Sequence, residues 1–180
     1  MGSKEFFEQV QTAVDNDQVW YAIYVRSRYE KVVFEELVRR QIKTSLPMLT
    51  KISKWSDRKK EIKAPWFPGY VFVKIDLSTE KFTVLEIPGV VKYVPTNNKP
   101  VSIHESEMYW LQVLVAENLT IRHETKRLVG EAVTVNFGPL KGYQGQVIAQ
   151  KSETRIIIWL DAIMQGVSVE LDPRWLDSAK

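Results

Sequence analysis

Apolar residues along this chain follow two periods, and the switches between them lay out the expected elements. Trp20-Tyr21-Ala22-Ile23-Tyr24-Val25 is dominated by aromatic and β-branched side chains, the pattern of a buried strand. Tyr29, Val33, Phe34, Leu37, Val38 and Ile42 then recur at helical spacing and form one apolar stripe. Ser27 and Glu30 read as a capping box opening that helix, the hydroxyl accepting a free helix N–H while the carboxylate reaches back. Leu46-Pro47-Met48-Leu49 starts an extended segment, and residues 55–63 read as the tip of a basic hairpin. Pro68-Gly69 sets a turn, because proline fixes φ and glycine accepts positive φ. It feeds the alternating strand Tyr70-Val71-Phe72-Val73-Lys74-Ile75.

Residues 79–85 suit a short helix, and Pro88-Gly89 leads into a further strand through Val94. Ser102 and Glu105 repeat the capping-box spacing before a helix with Met108, Leu111, Leu114 and Val115 on one face. The order β-α-β-β-β-(α)-β-α predicts an α+β sandwich, helices packed on an antiparallel sheet, over residues 19–117. Residues 1–18 read as an appendage and 118–128 as a polar linker. Beyond it, Val133-Thr134-Val135, Gly145-Gln146-Val147-Ile148, Arg155 to Leu160 and Val167 to Leu171 are short strands at regular intervals. They predict a small β-barrel over residues 129–180. Ile156-Ile157-Ile158 and Val167-Ser168-Val169 favour strand over helix, and Gly138-Pro139 would interrupt a helix.

Composition narrows the chemistry. The 180 residues include no cysteine, which removes disulfides, thiolate metal sites and cysteine nucleophiles. Two histidines, His104 and His123, read as surface residues rather than a metal pair, since a metal site wants several converging ligands. No apolar run approaches the roughly 18 residues that span a bilayer, and the N-terminus does not resemble a signal peptide. A cytoplasmic monomer with no cofactor and no membrane partner is expected. Net charge is +3, but residues 20–63 hold twelve basic side chains against five acidic ones. A basic stretch of this kind attracts polyanions through counterion release; the alternative is a solvated face without a partner.

Two stretches carry a family resemblance. Residues 130–147, with alternating valines, the Gly138-Pro139 turn and Tyr143 before Gly145, resemble the KOW motif. Trp20-Tyr21 opening a strand, the helix after it, Trp66-Phe67-Pro68-Gly69-Tyr70-Val71-Phe72-Val73 and Ile87-Pro88-Gly89-Val90 resemble the NusG N-terminal domain. The two together resemble the NusG family of transcription elongation factors over residues 20–177. Val25-Arg26-Ser27-Arg28-Tyr29-Glu30-Lys31 is similar to the junction of the specialised antiterminator paralogs of RfaH, LoaP and UpxY type. Asp161-Ala162-Ile163-Met164-Gln165-Gly166 stands where the housekeeping member carries phenylalanine-glycine-arginine.

The resemblance implies a factor that grips the clamp coiled coil of the RNA polymerase β′ subunit, suppresses pausing and is recruited through exposed non-template DNA to long operons. Trp66, Phe67, Pro68, Gly69 and Tyr70 match the polymerase contact. Independently of the family, three aromatics beside a rigid turn are not expected all to face inward, and partly exposed rings are common anchors. Ser78 and Thr79 match the segment that meets the polymerase β gate loop. Arg26, Arg28 and Lys31 at the junction, with Lys54, Trp55, Arg58, Lys59 and Lys60 on the hairpin, form the nucleic-acid set; positive charge with an aromatic between suits a phosphate backbone and an unpaired base. Tyr143 matches the loop presented to a ribosomal protein, or it covers the barrel end.

Two other readings stay open: a general housekeeping NusG-like factor, and a KOW-type RNA- or ribosome-binding protein. An enzyme is not expected, because the sequence has no phosphate-binding glycine loop, no nucleophile elbow and no metal-ligand cluster.

Overall fold

The strand expected at Trp20 is the spine of the N-terminal sheet. In the computed structural model, β1 (Val19–Val25) pairs antiparallel with β5 (Tyr70–Ile75) on one side and β6 (Val90–Val94) on the other. Short β2 (Lys43–Ser45) extends the sheet beyond β5, and β7 (Ser102–Ile103) pairs with the start of β1. The structure describes residues 18–55, 58–94, 99–117, 119, 121–126, 130–150 and 153–178, with the side chains of 50–62, 149, 150, 153 and 178 outside that description. The appendage read over residues 1–18 therefore lies outside it except for Gln18.

Alternation along β1 sorts the core into two layers. Tyr21, Ile23 and Val25 join Val71, Val73 and Ile75 against α1 (Glu30–Arg39) and α2 (Leu77–Leu85), where Val33, Leu37 and Val84 are fully buried. Each such side chain contributes about 1.5–3 kcal/mol on leaving water. Trp20, Ala22 and Phe72 point to the opposite face, which α3 (Glu105–Ala116) covers with Met108, Leu111 and Leu114. Val115, expected on that apolar face, is exposed.

Neither capping box forms as expected. The N-cap of α1 is Tyr29, without a side-chain cap, so Ser27 and Glu30 do not pair as a box. At α3 the box shifts by two residues: Ser106 N–H donates to His104 Nδ1 at 3.3 Å, and the His104 N–H donates to Glu107 at 3.0 Å. Strand β7 runs through Ser102, which keeps Ser102 extended and moves the helix start beyond it.

The expected hairpin exists as a separate two-stranded ribbon. Strands β3 (Met48–Trp55) and β4 (Arg58–Pro65) pair with Lys54 opposite Lys59, Trp55 opposite Arg58 and Ser53 opposite Lys60.

The C-terminal region is a six-stranded antiparallel sheet of β8 (Ile121–Glu124), β9 (Glu131–Val135), β10 (Gln144–Gln150), β11 (Glu153–Leu160), β12 (Gln165–Glu170) and β13 (Leu176–Ser178). Its order is β13-β9-β10-β11-β12-β8, and among the described residues no pairing joins the two outer strands into a closed barrel. The segment read as a linker thus carries a strand, pairing Ile121 with Val169 and Glu124 with Gly166. A buried network supports it: Arg155 donates to the Ser168 hydroxyl at 3.0 Å and its carbonyl at 2.8 Å, and Ser168 Oγ donates to Glu124 at 2.6 Å. Val133, Ile156, Ile158 and Val167 belong to the same buried cluster as Trp20, Phe67 and Phe72, so the two sheets share one apolar layer.

Candidate functional site

The Pro68-Gly69 turn closes through Tyr70 N–H donating to the Phe67 carbonyl at 3.1 Å. Gly69 has φ +84°, the left-handed value that a proline-led type II turn requires at its third residue. A second proline-glycine turn, with Val90 N–H on the Ile87 carbonyl and Gly89 at φ +103°, stands beside it. The loop from β1 into α1 is strapped to both. Val25 N–H donates to the Gly69 carbonyl and Arg26 N–H to the Gly89 carbonyl, each at 2.8 Å. Glu30, buried at the head of α1, accepts from Gly69 N–H at 2.9 Å.

These straps gather aromatic rings at one edge. Tyr24 and Tyr70 face each other edge to face, with 5.6 Å between ring centroids. Tyr24 lies over Gly69 and Tyr29 over Gly89 so closely that an added Cβ would stand 3.0 and 2.6 Å from the respective rings. Both tyrosines are 40% exposed and Tyr70 is half-buried. Burial, then the neighbouring Tyr24, raises the Tyr70 phenol above its ordinary value, so it stays a neutral hydrogen-bond donor.

The turn's own rings behave differently from expectation. Trp66 is 4% and Phe67 1% exposed; only Pro68 is exposed and Tyr70 half-buried. Phe67 packs edge-on against Phe72 and against His123 of β8, each at 5.8 Å. Burial of Phe67 therefore includes a contact contributed from far along the chain. Tyr24, which the sequence placed inside a buried strand, occupies the exposed place at this edge.

Arg26, Arg28 and Lys31 are all exposed on the same strapped junction, Arg28 in the left-handed region at φ +68°. The ribbon brings Lys54, Trp55, Arg58, Lys59 and Lys60 into register along its backbone, and their side chains lie outside the described set. Ser78 and Thr79 are exposed, with both hydroxyls donating to the Asp76 carboxylate that caps α2. The hydroxyl and N–H of Ser78, joined by Thr79, hold that carboxyl below its usual range.

Tyr143 is 8% exposed, donates its hydroxyl to the Ile157 carbonyl at 2.6 Å and stacks edge-on against Trp110 of α3 at 5.4 Å. Burial, then the Glu107 charge, pushes its phenol up. Tyr143 and Trp110 line a crevice of about 180 Å³ with Ser106, Glu107, Gln144, Ile158 and Trp159. Burial also raises the Glu107 carboxyl, against the opposing His104 N–H bond. Among the described residues no cluster of metal-ligating side chains occurs, and no helix is long and apolar enough to cross a membrane.

The family model described as transcription termination factor nusG matches residues 18–112. The transcription termination/antitermination protein NusG of Lactococcus lactis is 26% identical over 173 residues, covering 88% of this chain and 92% of that protein. Its counterpart in Rickettsia prowazekii is 24% identical over 170 residues, covering 88% of each. Among solved structures, one described as domain interaction in Thermotoga maritima NusG aligns with TM-score 0.50 and 22% identity, over 91% of this chain and 98% of that one, a likeness of fold. With more than half of its length matched by the family model, the chain belongs to the NusG family of transcription termination/antitermination factors.

Proposed function

We propose that this protein is an antitermination factor that grips the clamp coiled coil of the RNA polymerase β′ subunit through the edge formed by Tyr24, Pro68 and Tyr70. One observation carries this reading: a partly exposed pair of tyrosines, one from β1 and one from β5, stands at a proline-stiffened turn, and two exposed arginines lie on the loop that follows β1. Aromatic rings anchored on rigid backbone lose little entropy on docking and are the usual centres of protein interfaces. Trp66 and Phe67 act from beneath, as the buried bed on which Gly69 and Tyr70 rest. Arg26, Arg28 and Lys31 hold the displaced non-template strand, with the ribbon residues Lys54, Trp55, Arg58, Lys59 and Lys60 extending the same basic track. The gate-loop contact at Ser78 and Thr79 belongs to this reading, at the exposed start of α2.

Adjacency of the tyrosine edge to the junction arginines supports recruitment by nucleic acid and docking on the enzyme as one event, the behaviour of the specialised paralogs. The C-terminal sheet is read as a KOW module whose Tyr143 end meets a ribosomal protein. Binding of the full chain to core RNA polymerase, by fluorescence anisotropy, tests the reading. Tyr24→Ala with Tyr70→Ala is expected to abolish binding in a chain that still melts cooperatively; full binding by that folded variant overturns it.

A further inference from the structure

Glu30 is the charged residue that the capping expectation leaves unexplained. The residue is 8% exposed, and among the described residues no hydrogen bond returns it to the backbone of its own helix start. It crosses instead to a turn 39 residues away and accepts the Gly69 N–H at 2.9 Å. A buried carboxylate is costly unless hydrogen bonds compensate it, so this placement calls for a structural reason. A helix N-terminus favours an acid in its first turn, which accounts for a carboxylate at position 30 but not for its partner.

The partner is informative. In a proline-led turn, type I and type II differ by a flip of the central peptide, here the one joining Pro68 to Gly69. The turn's own bond, Tyr70 N–H to the Phe67 carbonyl, is compatible with either orientation. The Gly69 N–H belongs to the central peptide itself, so its acceptor selects one orientation. With Gly69 at φ +84°, its carbonyl meets Val25 N–H and its bare Cα meets the Tyr24 ring. A flip would turn Gly69 to negative φ and disturb both contacts.

We propose that Glu30 is a positioning residue that locks the Pro68–Gly69 peptide in its type II orientation and thereby fixes the Tyr24–Tyr70 docking edge. This rests on the reading above that the tyrosine edge grips RNA polymerase. Glu30 touches no partner itself; it acts through Gly69. Glutamine retains a carbonyl oxygen at the same reach, whereas alanine has no acceptor and aspartate falls one methylene short.

The test uses the full chain with Glu30→Ala, Glu30→Asp and Glu30→Gln, each alone and combined with Tyr70→Ala, titrated against core RNA polymerase. Glu30→Ala and Glu30→Asp are expected to weaken binding about five- to ten-fold, the effect of one lost hydrogen bond, with Glu30→Gln close to wild type. In the Tyr70→Ala background the same changes are expected to have little further effect, because the edge they position is gone. The Gly69 amide, followed by hydrogen exchange, is expected to exchange faster in Glu30→Ala and Glu30→Asp and to stay protected in Glu30→Gln. Should Glu30→Ala fail to fold, the aspartate–glutamine comparison decides. Unchanged binding and unchanged Gly69 exchange in folded Glu30→Asp overturn the positioning role, as do losses fully additive with Tyr70→Ala. If Tyr70→Ala itself leaves binding intact, the docking reading fails, while the exchange data still decide whether Glu30 locks the turn.

Discussion

Tyr24 and Tyr70 stand directly opposite each other across the β1–β5 ladder, ring edge to ring face at 66°. Antiparallel register brings opposed side chains close enough for their rings to interact, and the Pro68-Gly69 turn immediately before Tyr70 ends the ladder there. The pair therefore sits at the end of a rigid sheet, half in the core and half in solvent. A docking partner would meet rings that are already oriented.

From this geometry the ring, rather than the hydroxyl, should carry docking. Tyr70→Phe is expected to bind core RNA polymerase nearly as tightly as wild type, and Tyr70→Ala to lose about 2 kcal/mol, the scale of a central aromatic anchor. Titration of both variants by anisotropy checks it, and equal losses would shift the weight to the phenol oxygen.

Gly69→Ala and Gly89→Ala should both destabilise the fold, because each glycine has a positive φ and a tyrosine ring over its Cα. The backbone strain alone is about 1–2 kcal/mol at each position. Gly89→Ala should be the worse of the two, since its Cβ would stand 2.6 Å from the Tyr29 ring against 3.0 Å from Tyr24 for Gly69. Urea denaturation gives the order, and Tyr29→Ala should relieve part of the Gly89→Ala cost if the clash is real.

Much of this site was legible in the chain because turn chemistry and period are local. Pro-Gly dipeptides announced both turns, and the run from Trp20 and the stripe from Tyr29 announced β1 and α1. Burial of Phe67 was not legible, since its contact with His123 depends on where a strand 56 positions later packs. Glu30 was misread for the same reason: the local capping rule names Ser27, while the actual partner is Gly69, fixed by the tertiary fold. Ile121-Arg122-His123-Glu124 lacks an apolar face, so only its pairing with β12 makes it a strand. Tyr24 lay in plain view, but a continuous apolar run does not say which of its residues ends at an edge.

The network holding β8 to its neighbours should be a point of high sensitivity. Arg155 is 1% exposed and donates twice to Ser168, whose hydroxyl reaches Glu124. Arg155→Ala leaves both the buried Ser168 hydroxyl and its carbonyl without their donor, at about 1–3 kcal/mol for each buried polar group, so it should lower the urea midpoint strongly. Ser168→Ala should cost about 1–3 kcal/mol, the range for leaving a buried polar partner unpaired. A near-neutral Arg155→Ala would mean that β8 is held by backbone pairing alone.

Glu107 should give the fold a pH dependence of known sign. Burial raises its carboxyl above the ordinary value of 4.5 in the folded chain, so the folded state holds this proton more tightly than the unfolded one. Its contribution to stability is then complete below pH 4.5 and falls as pH rises through the folded value. Glu107→Gln, which keeps an acceptor for His104 N–H, should flatten that fall. Denaturant midpoints of wild type and variant across this window check it; parallel pH curves would exclude Glu107 as the source.

Arg26 and Arg28 project from a loop tied at its start by Val25 to Gly69 and Arg26 to Gly89, and closed by Tyr29 N–H on the Arg26 carbonyl at 3.0 Å, so their backbone has little freedom to lose when a phosphate is bound. Such pre-organisation favours binding, and each phosphate neutralised should appear in the salt dependence. For single strands the slope of log affinity against log salt is about −0.7 per contact. Arg26→Ala and Arg28→Ala should each reduce the slope by about that amount and weaken binding to single-stranded DNA of any sequence. The measurement is a salt titration of full-length wild type and variants against a short oligothymidylate. Because both arginines are exposed rather than packed in the sheet core, thermal melts of the variants should match wild type. An unchanged slope with an unchanged melt would mark both side chains as solvated charges, and the nucleic-acid track would then have to run along the β3–β4 ribbon alone.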